Sequence, residues 1–114
     1  MFEGLFGKKN YKNIDQRVAK ERLDTDQNIL LIDVRTPEEY TQAHIPKSVS
    51  LPLNQLKTGI TKITNDKEKE LFVYCLSGGR AASACSQLAA MGYQNVSNMG
   101  GIQTWKYQTV SGRK

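Results

Sequence analysis

The sequence holds two cysteines, one histidine and three prolines, and from residue 71 onward it has no acidic side chain at all. Two cysteines, Cys75 and Cys85, are too few for a disulfide framework, so reduced thiols in a cytoplasmic setting are the expectation. No run approaches the roughly 18 apolar residues that crossing a bilayer requires, which argues against a membrane span. The first residues carry Phe2, Leu5 and Phe6 ahead of Lys8 and Lys9, whereas a secretory signal reverses that order and needs a longer apolar stretch. Residues 1–11 therefore read as a flexible tail without a transit or export signal. No basic cluster is interleaved with aromatic residues, and no helical pattern gathers Lys and Arg on one face, so nucleic acid is not the expected partner. Internal repeats and low-complexity tracts are also missing.

What remains is a chain of 114 residues, 39% hydrophobic and 24% charged, which has the length and composition of one soluble globular domain with a single core. Its net charge of +5 is unevenly spread. All eleven acidic side chains fall in residues 1–70, while residues 71–114 carry Arg80, Lys106, Arg113 and Lys114 alone. That distribution predicts a positive field over the C-terminal part, suited to small anions or acidic surfaces.

Periodicity places the elements. Asp15 is an N-cap candidate, followed by Val18, Ala19, Arg22 and Leu23 as one stripe of a short helix that breaks over residues 24–28. Ile29 to Val34 opens with four apolar residues and reads as a buried strand. Thr36 and Pro37 start a second helix, with Glu38 and Glu39 complementing its dipole, and it ends near Ala43. Ser48 to Leu51 alternates like a strand, and Pro52 to Leu56 begins another short helix. Residues 58–69, anchored only by Ile60 and Ile63, read as a surface loop or a poorly formed helix. Ala81, Ala84, Cys85, Leu88 and Met91 share one face of a helix that Gly92 terminates. Val96 sits in a short strand, Gly100 and Gly101 make a turn, and Ile102 and Trp105 fall in a last small helix. Strands alternating with helices predict an α/β fold with a parallel central sheet covered on both faces.

In such sheets ligands bind beyond the carboxyl ends of the strands. Leu71 to Arg80, LFVYCLSGGR, delivers Cys75 to the end of one strand, in a glycine-containing turn that opens a helix. Asp33 and Arg35 lie at the end of another. Converging backbone N–H groups and the positive end of a helix favour an anion there, including a thiolate, which is the nucleophilic form of cysteine. Cys75 is the candidate nucleophile, with the N–H groups of Leu76, Ser77, Gly78, Gly79 and Arg80 as its cradle and Gly78 and Gly79 supplying the backbone freedom. The competing reading is a buried structural cysteine. Asp33 and Arg35 are supporting residues, organising the loop edge by ion pairing, with Glu38 or Glu39 as candidate partners of Arg35. His44 reads as a hydrogen-bonded turn residue rather than a base. Cys85 reads as core rather than a resolving thiol, and Trp105 as a core anchor. Tyr74 is a candidate wall of the pocket.

These residues resemble a known family. CLSGGR followed by an alanine-rich helix is similar to the active-site loop of rhodanese-like sulfurtransferases. Ile32-Asp33-Val34-Arg35 with Pro37-Glu38-Glu39-Tyr40, then His44-Ile45-Pro46 with Leu51-Pro52, then Gly100-Gly101-Ile102 with Trp105, look like further family landmarks in the family's order over roughly residues 12–112. Ala81 stands where the family often has serine. The resemblance implies a rhodanese-like fold and a cycle in which Cys75 accepts a sulfane sulfur, holds it as a persulfide and passes it on without metal or cofactor. The implied partners are a small anionic donor such as thiosulfate and a thiol or cyanide-like acceptor, or a sulfur-relay protein if the chain is a persulfide carrier or interaction module with little turnover of free donors. Cysteine phosphatases place five residues between cysteine and arginine. Here there are four, a smaller cradle that suits a sulfur atom better than a phosphate.

Overall fold

A computed structural model describes residues 10–113, so most of the expected tail lies outside the described residues. Five parallel strands form one sheet: β1 (Lys12–Asn13), β2 (Leu30–Asp33), β3 (Val49–Ser50), β4 (Glu70–Cys75) and β5 (Asn95–Gly101), in the order β1-β5-β4-β2-β3. The helices are α1 (Gln16–Thr25), α2 (Pro37–Gln42), α3 (Leu56–Ile63) and α4 (Gly79–Ala90), with 3-10 turns at Leu53–Gln55 and Ile102–Thr104.

The central strand β4 explains why its sequence is apolar without alternation. Successive side chains point to opposite faces, and both faces are covered. Leu71, Val73 and Cys75 enter one core with Leu56 and Ile60 of α3 and Ala81, Ala84, Cys85 and Leu88 of α4. Phe72 and Tyr74 enter a second core with Ala19 of α1, Ile45 and Met99, against which Leu23 and Trp105 pack. Each fully buried side chain of this size contributes about 1.5–3 kcal/mol.

Several elements differ from the sequence reading. α1 begins after its cap, where Asp15 accepts the Arg17 N–H at 2.8 Å, but it continues through Asp24 and Thr25. Val18 is turned outward and 39% exposed; the inward stripe is Ala19, fully buried, and Leu23, partly buried, while Arg22 reaches Glu70 in a two-point ion pair. Residues 56–63 form a regular helix where a loop or poor helix was expected over 58–69. Its threonines, isoleucines and glycine are weak helix formers, and the helix is held instead by Leu56 and Ile60, both fully buried one turn apart. The last strand is also longer than expected. Gly100 and Gly101 belong to β5 rather than to a turn, because the register against β4 shifts by one residue between Val73 and Tyr74 and lets the strand continue to pair Cys75 with Gly101.

Candidate active site

Cys75 ends β4, and the chain turns at once into α4. The Cys75 Sγ accepts the Gly78 N–H at 3.0 Å and the Ala81 N–H at 3.3 Å. Gly78 makes this possible with φ of +117°, a backbone angle that side chains with a Cβ disfavour. The expected role of Gly79 in backbone freedom is not met: it starts the helix without a positive φ and has open space around the position of a Cβ. Of the five N–H groups read from the sequence, Gly78's reaches the sulfur, and the second donor is Ala81, which lies outside that set. Helix geometry accounts for that donor, since the first N–H groups of a helix have no carbonyl one turn earlier. No acceptor among the described residues takes the N–H of Ser77, Gly79 or Arg80, so three further donors line the same turn.

The loop is fixed from two sides. β5 passes directly behind it: a Cβ on Gly101 would collide with the carbonyl of Leu76, and that carbonyl accepts the Gln103 N–H at 3.0 Å. On the other side Arg80 holds Glu39 of α2 through two hydrogen bonds of 2.8 and 3.1 Å. Glu39 is itself placed by a capping box, in which its carboxylate accepts the Thr36 N–H and its own N–H donates to the Thr36 hydroxyl. Arg80 first, then Thr36, hold the Glu39 carboxyl down to about 2 against the desolvation that opposes it.

This pairing corrects two expectations. Arg35 does not pair with Glu38 or Glu39; its guanidinium lies on Asp33, with Nη2 at 2.7 Å from Oδ2, and also donates to the Ala43 carbonyl at 2.6 Å. Both side chains are buried, so Asp33 and Arg35 fasten the C-terminal end of β2 from within. The acid-free C-terminal stretch is not an acid-free surface either, because folding brings Glu39 onto Arg80.

Other residues fall where their chemistry predicts or just beside it. His44 is buried and stacked on Tyr40, with Nδ1 at 2.8 Å from the Tyr40 carbonyl, and its backbone bridges Val110. Cys85 is buried one turn beyond Ala81, and desolvation foremost pushes its thiol up to about 12. Trp105 is half-buried against the second core. Tyr74 does not wall the cysteine pocket. As the neighbour of Cys75 on a strand it points to the opposite face, where its hydroxyl accepts the Ile45 N–H at 3.0 Å and meets the Ser48 hydroxyl at 3.0 Å. Burial raises its pKa well above the usual tyrosine value.

Leu76 is 40% exposed and Ser77 is exposed, so the outer rim of the loop is uncharged. Beside Arg80 opens a cleft of about 530 Å³ between the turn that follows β2, the start of α3 and α4. Among the described residues no group of His, Cys, Asp and Glu has the arrangement to hold a metal ion. No described helix is long and apolar enough to cross a membrane.

A protein-family model described as a rhodanese-like domain matches residues 15–108. The chain is 37% identical to a sulfurtransferase of Allochromatium vinosum, over 81% of this chain and 85% of that one. It is also 37% identical to the thiosulfate sulfurtransferase PspE of Escherichia coli, over 71% and 78% of the two chains. The fold superposes on a solved E. coli rhodanese with anions at a TM-score of 0.66 and 33% identity, covering 74% of this chain and 99% of that one. The cysteine at the end of a parallel strand, the N–H turn around it and the sheet beneath it are thus those of a protein that belongs to the rhodanese-like sulfurtransferase family.

Proposed function

We propose that this protein transfers sulfane sulfur through a persulfide on Cys75. The observation that carries the reading is the pair of N–H groups, from Gly78 and Ala81, converging on the Cys75 sulfur at the end of β4. In the first step the Cys75 thiolate attacks the outer sulfur of an anionic donor such as thiosulfate. A Cys75 S–S bond forms as the donor's S–S bond breaks, and sulfite leaves with the electron pair. In the second step a thiol or cyanide-like acceptor attacks the outer sulfur, and the Cys75 thiolate is regenerated. Each step displaces one anion by another, so no electron donor, metal or cofactor is consumed. The N–H groups of Ser77, Gly79 and Arg80 offer donors for the terminal persulfide sulfur, and Arg80 holds the loop's shape through Glu39.

A second reading, a persulfide carrier loaded by a partner protein, is favoured by the uncharged rim at Leu76 and Ser77, which gives a free inorganic donor little to bind. One experiment addresses both. Purified protein is incubated with thiosulfate or with a cysteine desulfurase and its substrate, and intact mass is followed together with turnover to cyanide or a thiol. A gain of about 32 Da, one sulfur atom, that Cys75→Ala abolishes is the expected result. Turnover of thiosulfate supports the enzyme; loading only by the desulfurase supports the carrier; a chain that gains no sulfur from either refutes both.

A further inference from the structure

The cysteine loop rests on a floor made by the end of β5. Gly78, whose N–H reaches the Cys75 sulfur, lies over Gly100: a Cβ on Gly78 would stand 3.6 Å from the Gly100 Cα. Leu76 and Ser77 lie over Gly101 so closely that a Cβ there has no room. This floor sits at an irregularity of the strand. The register passes from Val73 opposite Asn98 to Tyr74 opposite Gly100, so Met99 is an extra residue on β5, and Gly100 takes φ of +87°. A bulge disrupts the ladder that would otherwise hold the strand end in place, so other partners must hold it.

Gln16 is such a partner. From the first position of α1 its Nε2 donates to the carbonyls of Met99 at 2.8 Å and Gly101 at 2.9 Å, one on each side of Gly100. The Thr104 hydroxyl donates to Oε1 of the same carboxamide at 3.4 Å, which turns the nitrogen toward β5. That nitrogen would stand 3.5 Å from a Cβ on Gly100.

We propose that Gln16 is a positioning residue for sulfur transfer: its carboxamide holds the Gly100–Gly101 floor where the loop above it keeps the Gly78 N–H on the Cys75 sulfur. The inference rests on the Cys75 persulfide cycle and adds a residue that touches neither the sulfur nor a substrate. Its effect falls on the discharge of the persulfide. The acceptor attacks the outer sulfur, the S–S bond breaks, and the electron pair goes to the Cys75 Sγ. An N–H at hydrogen-bond distance stabilises the charge that develops there, and a floor that yields carries that donor away.

Two substitutions separate this role from helix stability. Gln16→Met keeps the length of the side chain and removes its donors. Gln16→Glu keeps the shape but turns carboxylate oxygens on two carbonyls, while its charge suits the first turn of a helix. Each protein is loaded with sulfur by thiosulfate or a cysteine desulfurase, intact mass confirms the load, and release of thiocyanate to cyanide is timed in a single turnover. Discharge should slow about threefold in Gln16→Met and about tenfold in Gln16→Glu, with the Gly78 and Ala81 amide resonances displaced in both. Arg22→Gln, which breaks the ion pair with Glu70 in the last turn of α1, should leave the rate and both resonances unchanged. Discharge at the wild-type rate in Gln16→Met or Gln16→Glu, resonances that stay in place, or an equal slowing in Arg22→Gln overturns the inference while the Cys75 cycle stands. A wild-type chain that takes up no sulfur refutes the Cys75 cycle itself, and the role of Gln16 in it.

Discussion

Glu39→Gln tests whether the loop is clamped from α2. The substitution keeps the size of the side chain and removes the charge that Arg80 meets at 2.8 and 3.1 Å. The Glu39 carboxyl is held down from an ordinary 4.5 to about 2. At about 1.4 kcal/mol per pH unit that gap corresponds to roughly 3 kcal/mol as an upper figure. The Glu39 and Arg80 side chains are 29% and 36% exposed, so solvent screening reduces it to about 1–2 kcal/mol. A carboxyl whose folded pKa is depressed stabilises the fold above its unfolded pKa, and the contribution is lost as pH falls toward the folded value. The window therefore runs from about pH 5 down to 2. Urea unfolding of wild type and Glu39→Gln at pH 7, 5, 4 and 3 should show the variant weaker by about 1–2 kcal/mol at pH 7, with more than half of that difference gone by pH 3. No difference at pH 7, or one that stays constant across the series, would refute the reasoning.

Two further predictions follow from the same geometry. Gly101→Ala forces a Cβ into the Leu76 backbone, which is pinned by Gln103, and should cost about 2–4 kcal/mol, whereas Gly79→Ala meets open space in a helical position and should stabilise by about 0.4–1 kcal/mol; equal melting temperatures for the pair would contradict the close approach of β5 to the cysteine loop. Tyr74→Phe strips the hydroxyl that takes the Ile45 N–H and leaves a buried donor unpaired, for a loss of about 1–3 kcal/mol in urea unfolding, and a neutral result would mean that the Ile45 N–H finds another acceptor.

The sequence by itself determined the two central strands, β2 and β4, because Ile29 to Ile32 and Leu71 to Tyr74 are apolar runs that only a sheet covered on both faces buries. It also determined where the cysteine turn falls, since a strand, a glycine and a helix pattern meet within ten residues. Local patterns carried α2 as well, through the Thr36, Pro37 and Glu39 start signals. Tertiary structure decided what is distant in sequence. The partner of Arg80 is Glu39, 41 residues away, and choosing it over Arg35 as the match for that carboxylate required knowing which strands lie side by side. α3 emerged only because two buried side chains outweigh a weak local preference, and Gly101 proved to be part of β5 because a register shift carries the strand past the loop. Short-range signals fix backbone propensity, whereas which charges neutralise each other and which N–H groups reach a sulfur are set by contacts that exist only once the sheet has assembled.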